Sequence, residues 1–225
     1  PVSWDNFSFD FKLKKFSEGF GLGPGLRHII WMGSFSALDK QRLYSPVFKE
    51  QLVGKDVFSP MQHYLATLDN NRYFLNKIQY LDIKTYLQDD LLVKADRATM
   101  SNSLELRVPY LDNELVEFMF NIPPHFKIKN LTTKYILKNA FHRVLPKRTI
   151  KRSKKGFGIP IAYWIANGLT EKIIQVFSDR RIKSDGLFNA DYVNWLIKQH
   201  LSRKVDNRKK IWTLFMFELW KEKWL

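Results

Sequence analysis

The chain has 225 residues, 45% hydrophobic and 15% aromatic, with seven Trp and 18 Phe; this is apolar mass enough for a buried core and too much for a disordered basic arm. A formal charge of +15 favours an anionic partner: nucleic acid, a membrane surface or a phosphate-bearing substrate. Cysteine is absent, which excludes a disulfide framework, a thiolate metal site and a Cys nucleophile and fits a cytoplasmic setting.

From Pro1 to about Gly25 the pattern is an irregular lead-in, WDNFSFDFKLKKF and then EGFGLGPG, with Gly at 19, 21, 23 and 25. A glycine cluster cradles phosphate when it follows a strand and opens a helix. No strand precedes this one and Pro24 interrupts it, so a loop entering a helix is expected. With no signal-peptide pattern after Pro1, the chain reads as an excerpt.

Beyond Leu26 the periodicity is helical. In LDIKTYLQDDLLVKADRATMSNS (81–103), Leu87, Leu91, Ala95 and Ala98 recur at spacings of three and four and predict one packed face, with Asp90, Lys94 and Arg97 on another. Asp112 is expected to cap a helix that cannot continue through Pro123 and Pro124. Thr132 or Thr133 is expected to cap the next, with Ile136, Leu137, Ala140, Phe141 and Val144 inward and Pro146 ending it. After a basic stretch come IAYWIA, TEKIIQVFS and NADYVNWLIKQHL, the last capped by Asn189. The final helix, from about Arg208 to Trp224, is apolar nearly all round its middle and should lie deep. Its stretch IWTLFMFELW is too short to span a bilayer and contains Glu218. No sustained alternation, repeat or linker appears. The expected fold is all-α: one compact multi-helix domain over 1–225, with 1–25 as lead-in and 26–225 helical.

Candidate chemistry is sparse. His28, His63, His125, His142 and His200 have no partner at metal-ligand spacing and are expected at the surface or at caps. No nucleophile-elbow, Walker A or Rossmann pattern is present. In SLELRVPYLD (103–112), Pro109 favours an extended approach. Glu105 and Arg107 then point to one side, and Leu104, Leu106 and Val108 point to the other, where they would anchor the segment. The charged side either presents a carboxylate and a guanidinium to a ligand or is an internal pair tying two helices. KRTIKRSKKGFGIP (147–160) carries six Lys/Arg in nine positions. Gly156 and Gly158 suit a loop holding a defined shape beside a ligand or a neighbouring wall, whereas a nucleic-acid patch would need aromatic platforms and a recognition motif.

The blocks YLQDDLLVKADRATMSNSLELRVPYLDNELVEF (86–118), KYILKNAF (134–141), RSKKGFGIPIAYW (152–164), GLFNADYVNWLIKQHLS (186–202) and IWTLFMFELW (211–220) resemble, in this order, the C-terminal part of the asparagine synthetase domain. That domain is the ATP-dependent half of glutamine-hydrolysing asparagine synthetases, within the PP-loop superfamily. The first 80 residues match only loosely.

The resemblance implies that ATP activates the side-chain carboxylate of aspartate as an acyl-adenylate, and that ammonia from glutamine then displaces AMP. By motif position, Lys154 would contact the phosphates or the tetrahedral intermediate. Glu105, in ExRVP, would line the acceptor side; in relatives that close β-lactam rings it works with a tyrosine as base. Asp96, Arg97 and Arg107 resemble residues of the pocket wall, and Lys155, Gly156 and Gly158 belong to the phosphate-facing loop. The family's SGGxDS and SGxGxDE segments and its glutaminase Cys are absent here. ATP with Mg would therefore be bound mainly by an upstream PP-loop sheet domain, and ammonia would come from a glutaminase domain. The chain alone is then expected to be inactive, cytoplasmic, without a specific nucleic-acid or membrane partner, and prone to homo-oligomerise through an uncovered apolar face. Two alternatives stay open: amidation or cyclisation of another carboxylate, and a basic helical module whose nucleic-acid binding would fall steeply with salt.

Overall fold

The structure is a computed structural model that describes Leu13 and residues 16–56, 58–68, 73–153 and 158–225. The lead-in over 1–12, together with Lys154, Lys155 and Gly156, lies outside the described residues. The fold is all-α, with one two-stranded hairpin among the described residues. It forms two compact units, Pro1–Val57 with Gly156–Leu225, and Phe58–Lys155. Among the described residues no helix is long and apolar enough to cross a membrane.

The first unit opens with α1 (Pro24–Met32), α2 (Ala37–Leu43) and α3 (Pro46–Gln51). The glycine cluster ahead of α1 has a packing role. Arg27 donates to the carbonyls of Gly19 (3.2 Å) and Leu22 (3.1 Å), and the Trp31 indole donates to that of Phe16 (3.3 Å). A Cβ on Gly19 would stand 2.6 Å from Arg27 Cγ and 2.7 Å from Trp31 Nε1, so this close approach requires glycine.

The second unit contains α4 (Ser59–Ala66), α5 (Phe74–Asp82), a π-helix (Ile83–Leu92), α6 (Val93–Met100), a 3₁₀ turn (Pro109–Leu111), α7 (Asn113–Asn121) and α8 (Pro124–Lys127). Strands β1 (Ile128–Lys129) and β2 (Thr132–Thr133) follow, then α9 (Tyr135–Ala140) and α10 (Lys147–Lys151). As expected, Asp112 caps α7, its Oδ1 accepting from the Leu115 N–H at 3.1 Å, and the helix ends at Asn121, before the two prolines. The long π-helix departs from the α-periodicity. Thr85 donates its hydroxyl to the Leu81 carbonyl (2.8 Å), engaging the acceptor one α-turn back. Ala98, placed on the packed face by α-spacing, is exposed.

Around α9 the expectation fails for a definable reason. Thr132 and Thr133 are committed to the hairpin, paired with Lys129 and Ile128. Asn130 and Leu131, both left-handed (φ 46° and 61°), form its two-residue turn. Helix α9 therefore starts after Lys134 with no side-chain cap and stops at Ala140. Ile136 and Leu137 are half-buried, but Ala140, Phe141 and Val144 are exposed.

The only hydrophobic side chain buried in this unit, among the described residues, is Leu81. Beside it lies a buried polar knot. Lys127 Nζ donates to Asn76 Oδ1 (2.6 Å) and Gln79 Oε1 (2.9 Å), and the Asn76 amide donates to the Phe120 carbonyl (2.7 Å). Burial pushes the Lys127 ammonium below the ordinary lysine range. Lys127→Met should leave two amide oxygens unpaired and destabilise the chain by about 2–4 kcal/mol, measured as a shifted urea midpoint.

The first unit resumes with α11 (Ile161–Asn167), α12 (Thr170–Val176), α13 (Asp179–Asp185), α14 (Ala190–Leu201) and α15 (Arg208–Trp224). Its core brings together Ile165, Ile173, Val176, Val193, Leu196 and Ile211. Asn189 caps α14, accepting from the Tyr192 N–H at 3.2 Å. Helix α13 is not legible as an amphipathic pattern, because Ile182 is its one buried side chain; Gly186 closes it at φ +66°. Helix α15 buries one stripe, Ile211, Leu214, Phe215 and Glu218, and leaves Met216, Trp220 and Trp224 exposed. It is thus amphipathic in packing, not buried on all sides as expected.

Two polar knots tie this unit. Ser36 and Asp39 form a reciprocal capping box on α2. Asp39 also accepts from Tyr192 Oη (2.9 Å) and Lys210 Nζ (2.6 Å), joining α2 to α14 and α15. Asp39→Ala removes the cap and both cross-links and should cost about 1–3 kcal/mol, read as a lowered thermal midpoint.

The second knot corrects the expectation that the histidines lie at the surface or at caps. His200 is fully buried. Its Nδ1 accepts from the Asn207 N–H at 3.3 Å and lies 3.8 Å from Asp206 Oδ1. The Asp206 carboxylate is occupied by Arg208, whose Nε stands 2.9 Å from both oxygens. Burial lowers the His200 pKa below 6.5, outweighing the attraction of Asp206. Below about pH 6.5 the unfolded chain then binds a proton that the folded chain refuses. Stability from this site is full above that pH and declines as pH falls through the folded value. Urea midpoints at pH 7.5 and 5.5 should differ in the wild type and differ less in His200→Gln.

Candidate functional site

The ExRVP segment is launched by a helix end. Beyond α6, the Leu104 N–H reaches back to the Thr99 carbonyl (3.1 Å) and the Ser103 N–H to that of Met100 (3.0 Å). Ser103 sits left-handed at φ 58°, where glycine is usual. The chain leaves in the direction that places Glu105 and Arg107 on one side, and Arg107 Nη2 meets Glu105 Oε1 at 2.8 Å. Both side chains are open, 84% exposed for Arg107 and 70% for Glu105. The pair is therefore not an internal strut, and as an exposed pair it adds at most about 1 kcal/mol to stability.

The anchoring expected from the other side is absent, since Leu104 (59%), Leu106 (42%) and Val108 (39%) are also exposed. None of the three is buried, in keeping with the thin burial in this unit. Asp96 and Arg97 stand exposed on α6, with no ion pair among the described residues.

The basic run begins as a helix, α10, rather than a loop. It borders a groove of about 740 Å³. Tyr110, two residues past Val108, lines one part of it, and α9 and the segment from Phe141 to Ser153 line the rest. Lys134, Lys138 and Arg152 contribute cations, and Thr133, Thr149 and Ser153 contribute hydroxyls. Arg152 and Ser153 immediately precede Lys154, which with Lys155 and Gly156 lies outside the described residues. Gly158 is described, and it has neither a left-handed φ nor any atom within 4 Å of an added Cβ. Its conformation is open to other residues, contrary to the expectation from sequence.

Sequence reasoning missed Lys134 and Lys138, which were read only as part of a helix. A signal was present: from Phe118 to Thr170 the chain has eleven Lys/Arg and no Asp or Glu. Among the described residues no group of three or more His, Asp or Glu side chains could hold a metal ion.

The Asparagine synthase family model matches residues 15–222, and the chain belongs to that family.

The chain is 41% identical over 177 residues to asparagine synthetase [glutamine-hydrolyzing] 1 of Bacillus subtilis, covering 79% of this chain and 26% of the relative. It is 34% identical to a putative asparagine synthetase [glutamine-hydrolyzing] of Mycobacterium tuberculosis, over 78% of this chain and 26% of that protein. It is 31% identical to amidase chyE of Penicillium rubens, over 58% and 20% respectively. The chain thus spans about a quarter of the length of the first two relatives. No solved structure matches it.

Proposed function

We propose that the protein carrying this chain is an ATP-dependent asparagine synthetase. In the proposed reaction a side-chain carboxylate oxygen of aspartate attacks the α-phosphorus of ATP and expels pyrophosphate. Ammonia released from glutamine then attacks the acyl carbon. The C–N bond forms, a proton leaves the nitrogen and the acyl C–O bond breaks, giving asparagine and AMP.

The physical demand is neutralisation of polyphosphate charge and of the oxyanion at the acyl carbon. Lys154 is assigned to that charge, with Lys155, Gly156 and Gly158 in the same loop. Glu105 is assigned to the acceptor side, oriented by Arg107, with Asp96 and Arg97 on the pocket wall. The observation that carries the reading is the match of nearly the whole chain to the Asparagine synthase family, reinforced by the open Glu105–Arg107 pair. ATP with magnesium is assigned mainly to sequence outside this chain, together with the source of ammonia, and the 225-residue chain alone should make no asparagine. The cytoplasm is the proposed location.

The test is asparagine formation by the full-length protein from aspartate, ATP and glutamine, alongside the isolated chain. Synthesis by the first and none by the second is the expected result. Amidation of a different carboxylate in preference to aspartate would reassign the acceptor.

A further inference from the structure

We propose that the groove between α9 and Arg152 is a binding site for a small organic anion with an apolar body, such as an aryl phosphate. This inference does not depend on the reaction proposed above.

Its first support is uncompensated charge. Lys134, the residue that precedes α9, and Lys138, within it, both line the groove; Arg152 enters from beyond α10. None of the three makes an ion pair or side-chain hydrogen bond among the described residues, and none of the twelve lining residues is acidic. Three cations without a counter-charge repel one another, and a bound anion relieves that repulsion.

The second support is what separates the charges. Leu137 sits between the two lysines, and Phe141 and Ile150 extend the apolar lining. A bare inorganic anion would leave that surface wet, whereas a ligand with a flat or aliphatic body covers it. The volume also falls in the range of small-molecule sites, roughly 300–1,000 Å³. The third support is backbone strain: Lys134 is held left-handed at φ 58°, an uncommon conformation for a residue with a side chain. It sets the direction in which the Lys134 side chain leaves the backbone where the hairpin turns into α9.

Isothermal titration of the 225-residue chain with 2-naphthyl phosphate tests the site, with inorganic phosphate and 2-naphthol in parallel. The expected result is one site with Kd on the order of 0.1 mM for naphthyl phosphate, and at least tenfold weaker binding of either part. Lys138→Gln should weaken binding at least fivefold, Lys138→Arg should restore it, and Lys147→Gln, in the same basic run outside the groove, should change it less than twofold. Equal binding of inorganic phosphate would reduce the site to a charge run, and equal binding of naphthol to an apolar patch; either overturns the proposal. So does an equal loss in Lys147→Gln. Tighter binding to phosphatidylglycerol vesicles or to single-stranded DNA than to naphthyl phosphate would assign the surface to a lipid headgroup or a polymer and overturn it too.

Discussion

Replacing Lys154 by alanine in the full-length protein is expected to lower asparagine formation by roughly 100-fold or more, the size of losing one preorganised charge stabiliser. Glutamine hydrolysis and thermal midpoint should stay unchanged. Lys154 directly follows Arg152 and Ser153, which line a groove with no acidic side chain, and it stands in the longest acid-free stretch of the chain. The nearest acids in sequence are Glu117 and Glu171, and the proposed function gives the Lys154 charge to a substrate. Lys154→Arg should recover only part of the rate, because a planar guanidinium cannot occupy the place of a compact ammonium. Full turnover in Lys154→Ala would remove this residue from the chemistry.

Glu105→Gln carries the second large effect, a loss of about 100-fold in asparagine formation at unchanged stability, as for a positioned proton acceptor. The geometry explains why the two readouts separate. Arg107 engages one carboxylate oxygen, Oε1, at 2.8 Å, and the proposed function gives the other to a substrate. Since both side chains are mostly exposed, the pair adds little to folding, and a fall in rate without a fall in melting temperature marks a functional carboxylate. Arg107→Lys should keep the charge but loosen the orientation, lowering kcat with little change in KM for ATP. A drop in melting temperature matching the loss of rate would return the pair to a structural role.

How much of this was readable beforehand depends on the range of the interaction. Caps are local, so Asp112 and Asn189 were legible from three-residue spacings, and both accept the N–H three residues on. The all-helical class followed from apolar periodicity, and the family from ordered motif blocks. What failed was decided by competing partners elsewhere in the chain. Thr132 and Thr133 had the chemistry of caps but were recruited by β1. His200 falls on the buried stripe of α14, three, four and seven residues after Ile197, Leu196 and Val193, but histidine is not an apolar residue, and its hydrogen-bond partner Asn207 lies across the turn between α14 and α15.

At the site, alternation placed Glu105 and Arg107 on one side correctly. The same alternation misjudged Leu104, Leu106 and Val108, since alternation gives sides and not what covers them. The cationic groove was hidden for a related reason. Lys134 and Lys138 look like solvated helix positions until Tyr110 and the Phe141–Ser153 segment are seen around them.

The most direct test is the phosphorus balance of the full-length protein supplied with ATP, aspartate and glutamine, followed by ³¹P NMR alongside amino-acid analysis. The account predicts AMP and pyrophosphate in equal amounts, each matching the asparagine formed and dependent on aspartate. Release of ADP and inorganic phosphate instead, or pyrophosphate release indifferent to aspartate, would contradict it.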